Sequence, residues 1–237
     1  KEYQMKESKA LVSFIMSTYN SEDTVSKSIE SMLNQTYENI EILIVDDSSN
    51  DNTYNICENY SRTNENIFLF RNNKNIGLTK SLNKLLNHSK GAYIARQDAD
   101  DTSMPERIQK QFEFIKSNKL DGCSARSNII GHRRVIPGLS YFFPIKLIMK
   151  YKNPFIHGTL FIKKTVLSDL GGYDERFIYS QDYKLMSDIL QKGYRVSIIK
   201  TPLYNLNFSN NISTKFKKEQ QYYANCVKRN IDPIKFT

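Results

Sequence analysis

Tryptophan is absent from the 237 residues, and histidine and cysteine occur three times each. Cys57, Cys123 and Cys226 are odd in number, far apart and outside any CxxC pair, which excludes a disulfide framework and a cysteine-built zinc site. His88, His132 and His157 are equally scattered, so no histidine-based metal site is expected. No apolar run approaches the ~20 residues that cross a bilayer. The first residues, Lys1 to Lys6, carry no apolar signal region. The expected location is cytoplasmic, possible contact with the inner face of a membrane being left open. A compact arginine run with interleaved aromatics is also missing, so the net charge of +9 speaks for phosphates, polyanions or an anionic membrane surface rather than nucleic acid. With nine glycines, six prolines, no low-complexity linker and no repeat, the length suits one domain with short extensions.

What is present is an alternation. Leu11 to Met16 is an apolar run closed by Ser17-Thr18-Tyr19-Asn20, after which Val25, Ile29, Met32 and Leu33 recur at helical spacing. Glu41 to Val45 repeats the pattern and ends in Asp46-Asp47-Ser48-Ser49, followed by a helical segment over Thr53 to Tyr60. Ile67 to Phe70 predicts a third strand, Leu78, Leu82, Leu85 and Leu86 a helix face, and Ala92 to Ala95 a fourth strand. Strands alternating with helices imply right-handed crossovers and a parallel sheet covered on both faces. Beyond a helix carrying Ile108, Phe112 and Ile115 the pattern is less regular. A strand near Thr159 to Ile162, a helix over Asp182 to Gln191, a strand near Arg195 to Ile199 and a C-terminal helix over Ser213 to Arg229 are expected.

Polar residues gather where strands end. The fourth strand runs into Asp98-Ala99-Asp100-Asp101, three carboxylates within four residues. Their mutual repulsion is relieved by a hard divalent cation that also takes phosphate oxygens. A solvated turn ahead of the helix that begins near Pro105 explains the same residues without a ligand. Ligands of open α/β sheets bind outside the carboxyl ends of the strands, so Thr18-Tyr19-Asn20, Asp46-Asp47 and Asp98 to Asp101 point to one crevice.

Taken in order, Val12 to Asn20, Ser31-Met32-Leu33-Asn34-Gln35-Thr36-Tyr37, Glu41 to Ser49, Asn75-Ile76-Gly77-Leu78, Asp98 to Asp101, His157-Gly158-Thr159, Gly171 to Glu175 and Gln181-Asp182-Tyr183 resemble the signatures of family 2 glycosyltransferases over roughly residues 10 to 205. The resemblance implies an α/β GT-A fold: a Rossmann-like, mostly parallel central sheet flanked by helices, with an irregular acceptor-binding second half. It divides the chain into an N-terminal extension (1–10), a transferase domain (11–205, with its nucleotide-sugar half at 11–104) and a C-terminal helical extension (206–237). It also implies an inverting transfer from a nucleotide-sugar donor, UDP-linked by preference, to a glycan or lipid-linked acceptor, with Mn2+ or Mg2+ as cofactor.

By the same resemblance Tyr19 stacks on the base and Asp47 accepts a hydrogen bond from it, with Thr18 and Asn20 beside them. Asp98 and Asp100 match the DXD pattern, Asp100 being first choice for the cation, while Lys74 and Arg96 add positive charge near the phosphates and Asp101 caps the loop. Asp182 matches the acceptor-side base. Many relatives carry Glu-Asp there, and Gln181 removes that neighbouring charge. His157 is expected to contact the diphosphate or the acceptor. Each of these residue types also has an ordinary structural use: a tyrosine at the edge of a core, an aspartate at a helix start, a histidine as a hydrogen-bond partner. A nucleotidyltransferase and a catalytically silent nucleotide-sugar or glycan-binding domain remain as alternatives. Tyr141 to Tyr151, and the C-terminal helix with Phe216, Tyr222, Tyr223 and Val227, mix apolar bulk with lysines and suit either core packing or a membrane surface.

Overall fold

The computed structural model describes residues 9–207 and 216–234. The first part of the chain follows the expected alternation: β1 (Val12–Thr18), α1 (Val25–Leu33), β2 (Ile40–Asp46), α2 (Thr53–Thr63), β3 (Ile67–Arg71), α3 (Leu78–His88) and β4 (Tyr93–Arg96). Then come β5 (Thr102–Ser103), α4 (Arg107–Ser117), β6 (Gly122–Ile129), β7 (Val135–Ile136), α5 (Ile145–Ile148), β8 (Phe161–Lys163), α6 (Lys164–Leu170), α7 (Gln181–Gln191), β9 (Val196–Leu206) and α8 (Lys217–Arg229). The expected extension over 1–10 falls largely outside the described residues, as do positions 213–215 of the expected C-terminal helix.

The strands form one nine-stranded sheet in the order β3-β2-β1-β4-β8-β6-β9-β5, with β7 on β6. The first four are parallel, as the βαβ pattern requires. β8 inserts antiparallel between β4 and β6, and β5 pairs antiparallel with β9, so the second half continues the same sheet in mixed direction. Alternate residues of each strand feed two cores. Phe14, Met16, Ile42 and Ile44 pack with α1 and α4 through Ile29, Met32, Ile108 and Ile115. Ile15, Leu43 and Val45 pack on the other face with Leu82 and Leu85 of α3, Leu167 of α6 and Met186 of α7. Period-2 strands between period-3.6 helices leave no other way to bury both sets.

The short β5, β7, α5 and α6 were not expected from sequence, and β6 and β9 depart from it in ways with a clear physical reason. β6 has no large apolar residue before Ile129, yet Cys123, Ser124, Ala125 and Ser127 are all buried. Short side chains suit its central place, and Thr159 satisfies part of the polarity: its hydroxyl lies 2.6 Å from Ser124 Oγ and accepts the Ala125 N–H. β9 does not stop at Ile199 but continues to Leu206. Its partner β6 passes from Ala125, opposite Ile199, to Arg126, opposite Pro202, so the proline sits at a bulge where no ladder donor is needed.

Candidate active site

The parallel strands bring their carboxyl ends level: Thr18 lies opposite Asp46, and Asp46 opposite Arg71. The loops that leave β1 and β2 are zipped together. Asn20 N–H donates to Ser49 Oγ (3.0 Å), Asn50 N–H to Asn20 Oδ1 (2.9 Å), Ser21 N–H to Thr53 Oγ1 (2.7 Å) and Asn52 N–H to Glu22 Oε2 (2.9 Å). Asn20 adopts φ +49°, which asparagine tolerates better than most residues. Tyr19 stands on this clasped rim, 45% exposed and open to stacking. Thr18 ends β1, and its hydroxyl is buried without a partner among the described residues.

Asp47 is held by the protein itself. Only 2% exposed, its carboxylate accepts the N–H groups of Ile76 (2.9 Å) and Gly77 (2.8 Å) and the side-chain amide of Asn72 (2.8 Å). In this arrangement it anchors the 72–77 loop. Lys74 is exposed on that loop. Arg71, unmarked by any motif, lies over Tyr54 at 4.3 Å and pairs with Asp46 at 3.3 Å.

The acidic loop is braced from behind. Gln97, wholly buried, donates to Ser28 Oγ, to the Asp98 carbonyl and to the Asp101 carbonyl. Arg107, also wholly buried, donates to the Arg96 carbonyl (2.7 Å), Gln97 Oε1 (3.1 Å), Ser103 Oγ (2.8 Å) and Gln111 Oε1 (3.0 Å). Asp101 ties the loop to the end of β9 by accepting the Asn207 N–H at 2.7 Å. Asp98 takes Arg96 Nη2 on Oδ1 at 2.6 Å, and its N–H donates to the Tyr204 hydroxyl. Gly158 passes so close that a Cβ there would lie 2.6 Å from Asp98 Oδ2.

Crowding shows in the carboxyls. Burial, then the charge of Asp98, raises Asp100 to about 6. Burial, then Asp98 and Asp100, raises Asp101 further. Half-buried Asp100 and the second oxygen of Asp98 are oxygen donors of the kind a hard divalent cation takes, and added positive charge would relieve the repulsion that lifts these groups. Among the described residues no three histidine, cysteine or acidic side chains form a ready-made cage. Remaining ligands would have to come from phosphate or water. Buried polar atoms without a partner among the described residues gather nearby: Thr18 Oγ1, Asp46 Oδ1, and Nε and Nη1 of Arg96. Most buried polar atoms in folded proteins are paired, so this edge of the sheet holds unmet hydrogen-bonding capacity.

From the second half come His157, Tyr173 and Asp182. His157 Nε2 lies 2.9 Å from the Tyr173 hydroxyl, with the rings edge to face at 5.6 Å. Burial, then Arg96, holds the imidazole well below its ordinary value against the opposing pull of Asp182 and Asp98. A neutral ring tied to Tyr173 offers no positive charge to a diphosphate. Asp182, in the first turn of α7, accepts from Asn153 Nδ2 at 2.9 Å. Arg96, Asp98 and Asp182 all act on both His157 and Tyr173, so the acidic loop and the start of α7 face one centre. Gln97, Arg107, Tyr173, Asn153 and Tyr204 were not expected from sequence. None belongs to a run of like chemistry; Tyr173, Asn153 and Tyr204 acquire a role through contacts 16 to 106 positions away, and Gln97 and Arg107 by bracing the loop they flank.

Comparison with known proteins agrees with this geometry. The family model "Glycosyl transferase family 2" matches residues 13–171. EpsE of Bacillus subtilis, named as a glycosyltransferase, is 34% identical over 222 residues, covering 90% of this chain and 77% of that protein. WfaP of Escherichia coli, named a UDP-Glc:alpha-D-GlcNAc-diphosphoundecaprenol beta-1,3-glucosyltransferase, is 33% identical over 189 residues, covering 78% of this chain and 72% of its own. The crystal structure of S. aureus TarS 1–349 in complex with UDP superposes with a TM-score of 0.74 at 21% identity, over 94% of this chain and 67% of that one, and so shares the fold. A sheet whose carboxyl edge carries an acidic loop, facing an aspartate on a later helix, within a chain matched on this scale, belongs to glycosyltransferase family 2: the protein is a glycosyltransferase of GT-A fold.

Proposed function

We propose that the chain moves a sugar, with inversion, from a UDP-linked donor to a hydroxyl of a lipid-linked or glycan acceptor in surface polysaccharide synthesis, at the inner face of a membrane. The observation that supports this is that Asp182, Asp98 and Arg96 all act on the hydrogen-bonded His157–Tyr173 pair, so the start of α7 and the acidic loop border one centre. The acceptor oxygen bonds to the anomeric carbon as the bond from that carbon to the diphosphate breaks, and the hydroxyl proton passes to the Asp182 carboxylate. Asn153 orients that carboxylate. Tyr19 offers a stacking face to the base, while Arg96 and its unpartnered N–H groups supply positive charge to the phosphate side. Asp100 and Asp98 would hold Mn2+ or Mg2+, which when bound neutralises charge on the departing nucleoside diphosphate. The UDP-Glc donor and diphosphoundecaprenol acceptor in the name of WfaP support the donor and acceptor classes.

Calorimetric titration of UDP, GDP and dTDP in Mn2+ and then in chelator tests the donor site. UDP is expected to bind selectively, and chelation to weaken it at least ~tenfold, or ~1.4 kcal/mol. No binding of any nucleotide by the folded protein would overturn the donor site. Asp182→Asn should retain UDP binding and lose about 10²–10⁴-fold in transfer. Transfer at the wild-type rate would remove Asp182 from the role of base.

A further inference from the structure

The positive charge of the chain is not evenly spread. Between Asp121 and Asp169 there are eight lysines and arginines and no aspartate or glutamate, which is +8 of the total of +9. Five of these cations, Arg133, Arg134, Lys146, Lys150 and Lys152, are exposed, and none makes an ion pair among the described residues. Among them stand large apolar side chains: Leu139 is 82% exposed, Phe142 67%, Phe143 54%, Leu147 44% and Tyr151 68%.

Core packing explains only part of this segment. Tyr141, Ile145 and Met149, at four-residue spacing, turn inward onto the core. The Arg126 guanidinium lies over Tyr141 at 5.3 Å, and the Tyr183 hydroxyl donates to the Met149 carbonyl. A segment held from beneath at 141, 145 and 149 thus directs its other apolar side chains to solvent. Soluble surfaces rarely leave such a cluster uncovered. Aromatic and leucine tips interspersed with unpaired cations, and no anions, match the chemistry of an anionic bilayer surface, where the tips enter the headgroup boundary and the cations meet lipid phosphates. A protein partner of ordinary surface would leave the cations uncompensated. The C-terminal helix does not compete for this role: Tyr223, Cys226 and Val227 of α8 are buried against Phe177 and Tyr183.

We propose that residues 130–152 form a docking surface for an anionic phospholipid bilayer. The surface is joined to the acceptor side, because Asn153 follows it directly and donates to Asp182. Docking there holds Asp182 near the bilayer, where a lipid-linked hydroxyl is presented; only that last step rests on the proposed function.

Co-sedimentation with vesicles of phosphatidylglycerol mixed into phosphatidylcholine, and of phosphatidylcholine alone, tests the surface, with UDP binding and thermal unfolding followed in parallel. Binding is expected to the anionic vesicles only and to weaken with salt. Phe142→Ser with Phe143→Ser, and separately Lys146→Glu with Lys150→Glu, should each lower partitioning on the order of tenfold, with UDP affinity and thermal midpoint unchanged. No binding, equal binding to phosphatidylcholine alone, or wild-type partitioning of both variants overturns the proposal. So does binding that charge reversal abolishes, the phenylalanine changes leave intact and a single-stranded RNA oligonucleotide displaces, which would assign the patch to polyanions in general. Vesicle binding without UDP binding would sink the donor site and keep the surface, and the reverse would do the opposite.

Discussion

Gly158 matters for the side chain it lacks. A Cβ there would meet Asp98 Oδ2 and the Tyr204 hydroxyl, both at 2.6 Å, closer than real Cβ contacts come. Gly158→Ala should therefore push Asp98 away from Arg96, destabilise the protein by about 1–3 kcal/mol in urea titration and weaken UDP binding with it. Unchanged values for both would show that the loop has room to yield. Asp47 makes the complementary point. Its position in an acidic doublet at a strand end was legible in the sequence, but the direction of its oxygens was not. They are turned inward because the backbone of Ile76 and Gly77 offers donors there. Asp47→Asn replaces one acceptor with a donor facing N–H groups and should cost about 1.5–3 kcal/mol, measured in the same way.

The element that decides the site is the loop between β4 and α4 together with its bracing. Arg107 is a buried cation whose hydrogen bonds go to neutral acceptors, with the Tyr204 ring at 5.1 Å, and burial lowers it to about 10. Arg107→Met would strand the Arg96 carbonyl and Gln111 Oε1, and is expected to cost about 2–4 kcal/mol and to impair UDP binding. Arg107→Lys should recover little, because an ammonium cannot reproduce the planar fork. Loss of UDP binding with full thermal stability would mean that Arg107 acts on the ligand itself rather than through the loop. Among elements, the parallel strands and their helices could be predicted because periodicity is local. β6 could not, since a strand of small and polar residues gives no hydrophobic signal and is stabilised by Thr159 and by its neighbours in the sheet. The outer part of β9 was hidden by Pro202, which a bulge accommodates.

At the scale of the whole molecule, packing the second half against the first sets a half-buried His157 beside Arg96, and stability should record it. The folded imidazole resists protonation, whereas the unfolded one binds a proton in its ordinary range near 6.5. The unfolded state therefore binds more protons as pH falls through that range, and stability must drop toward the folded value. His157→Gln removes this contribution, so the stability gap between variant and wild type should narrow on the order of 1–2 kcal/mol between neutral and mildly acidic pH, read by urea unfolding at each pH. A gap that does not change with pH would show that the ring titrates normally in the folded state. Sequence alone determined the βαβ framework, the family and the cluster of acidic residues at the strand ends, because hydrophobic period and motif order are properties of neighbours along the chain. Tertiary structure alone decided which carboxylate faces inward, which buried arginine braces the loop, and that Asp182 on α7 and Asp98 of the acidic loop both act on the His157–Tyr173 pair. Those outcomes depend on contacts between residues up to about a hundred positions apart, as between Asp98 and Tyr204, whose energies no local pattern encodes.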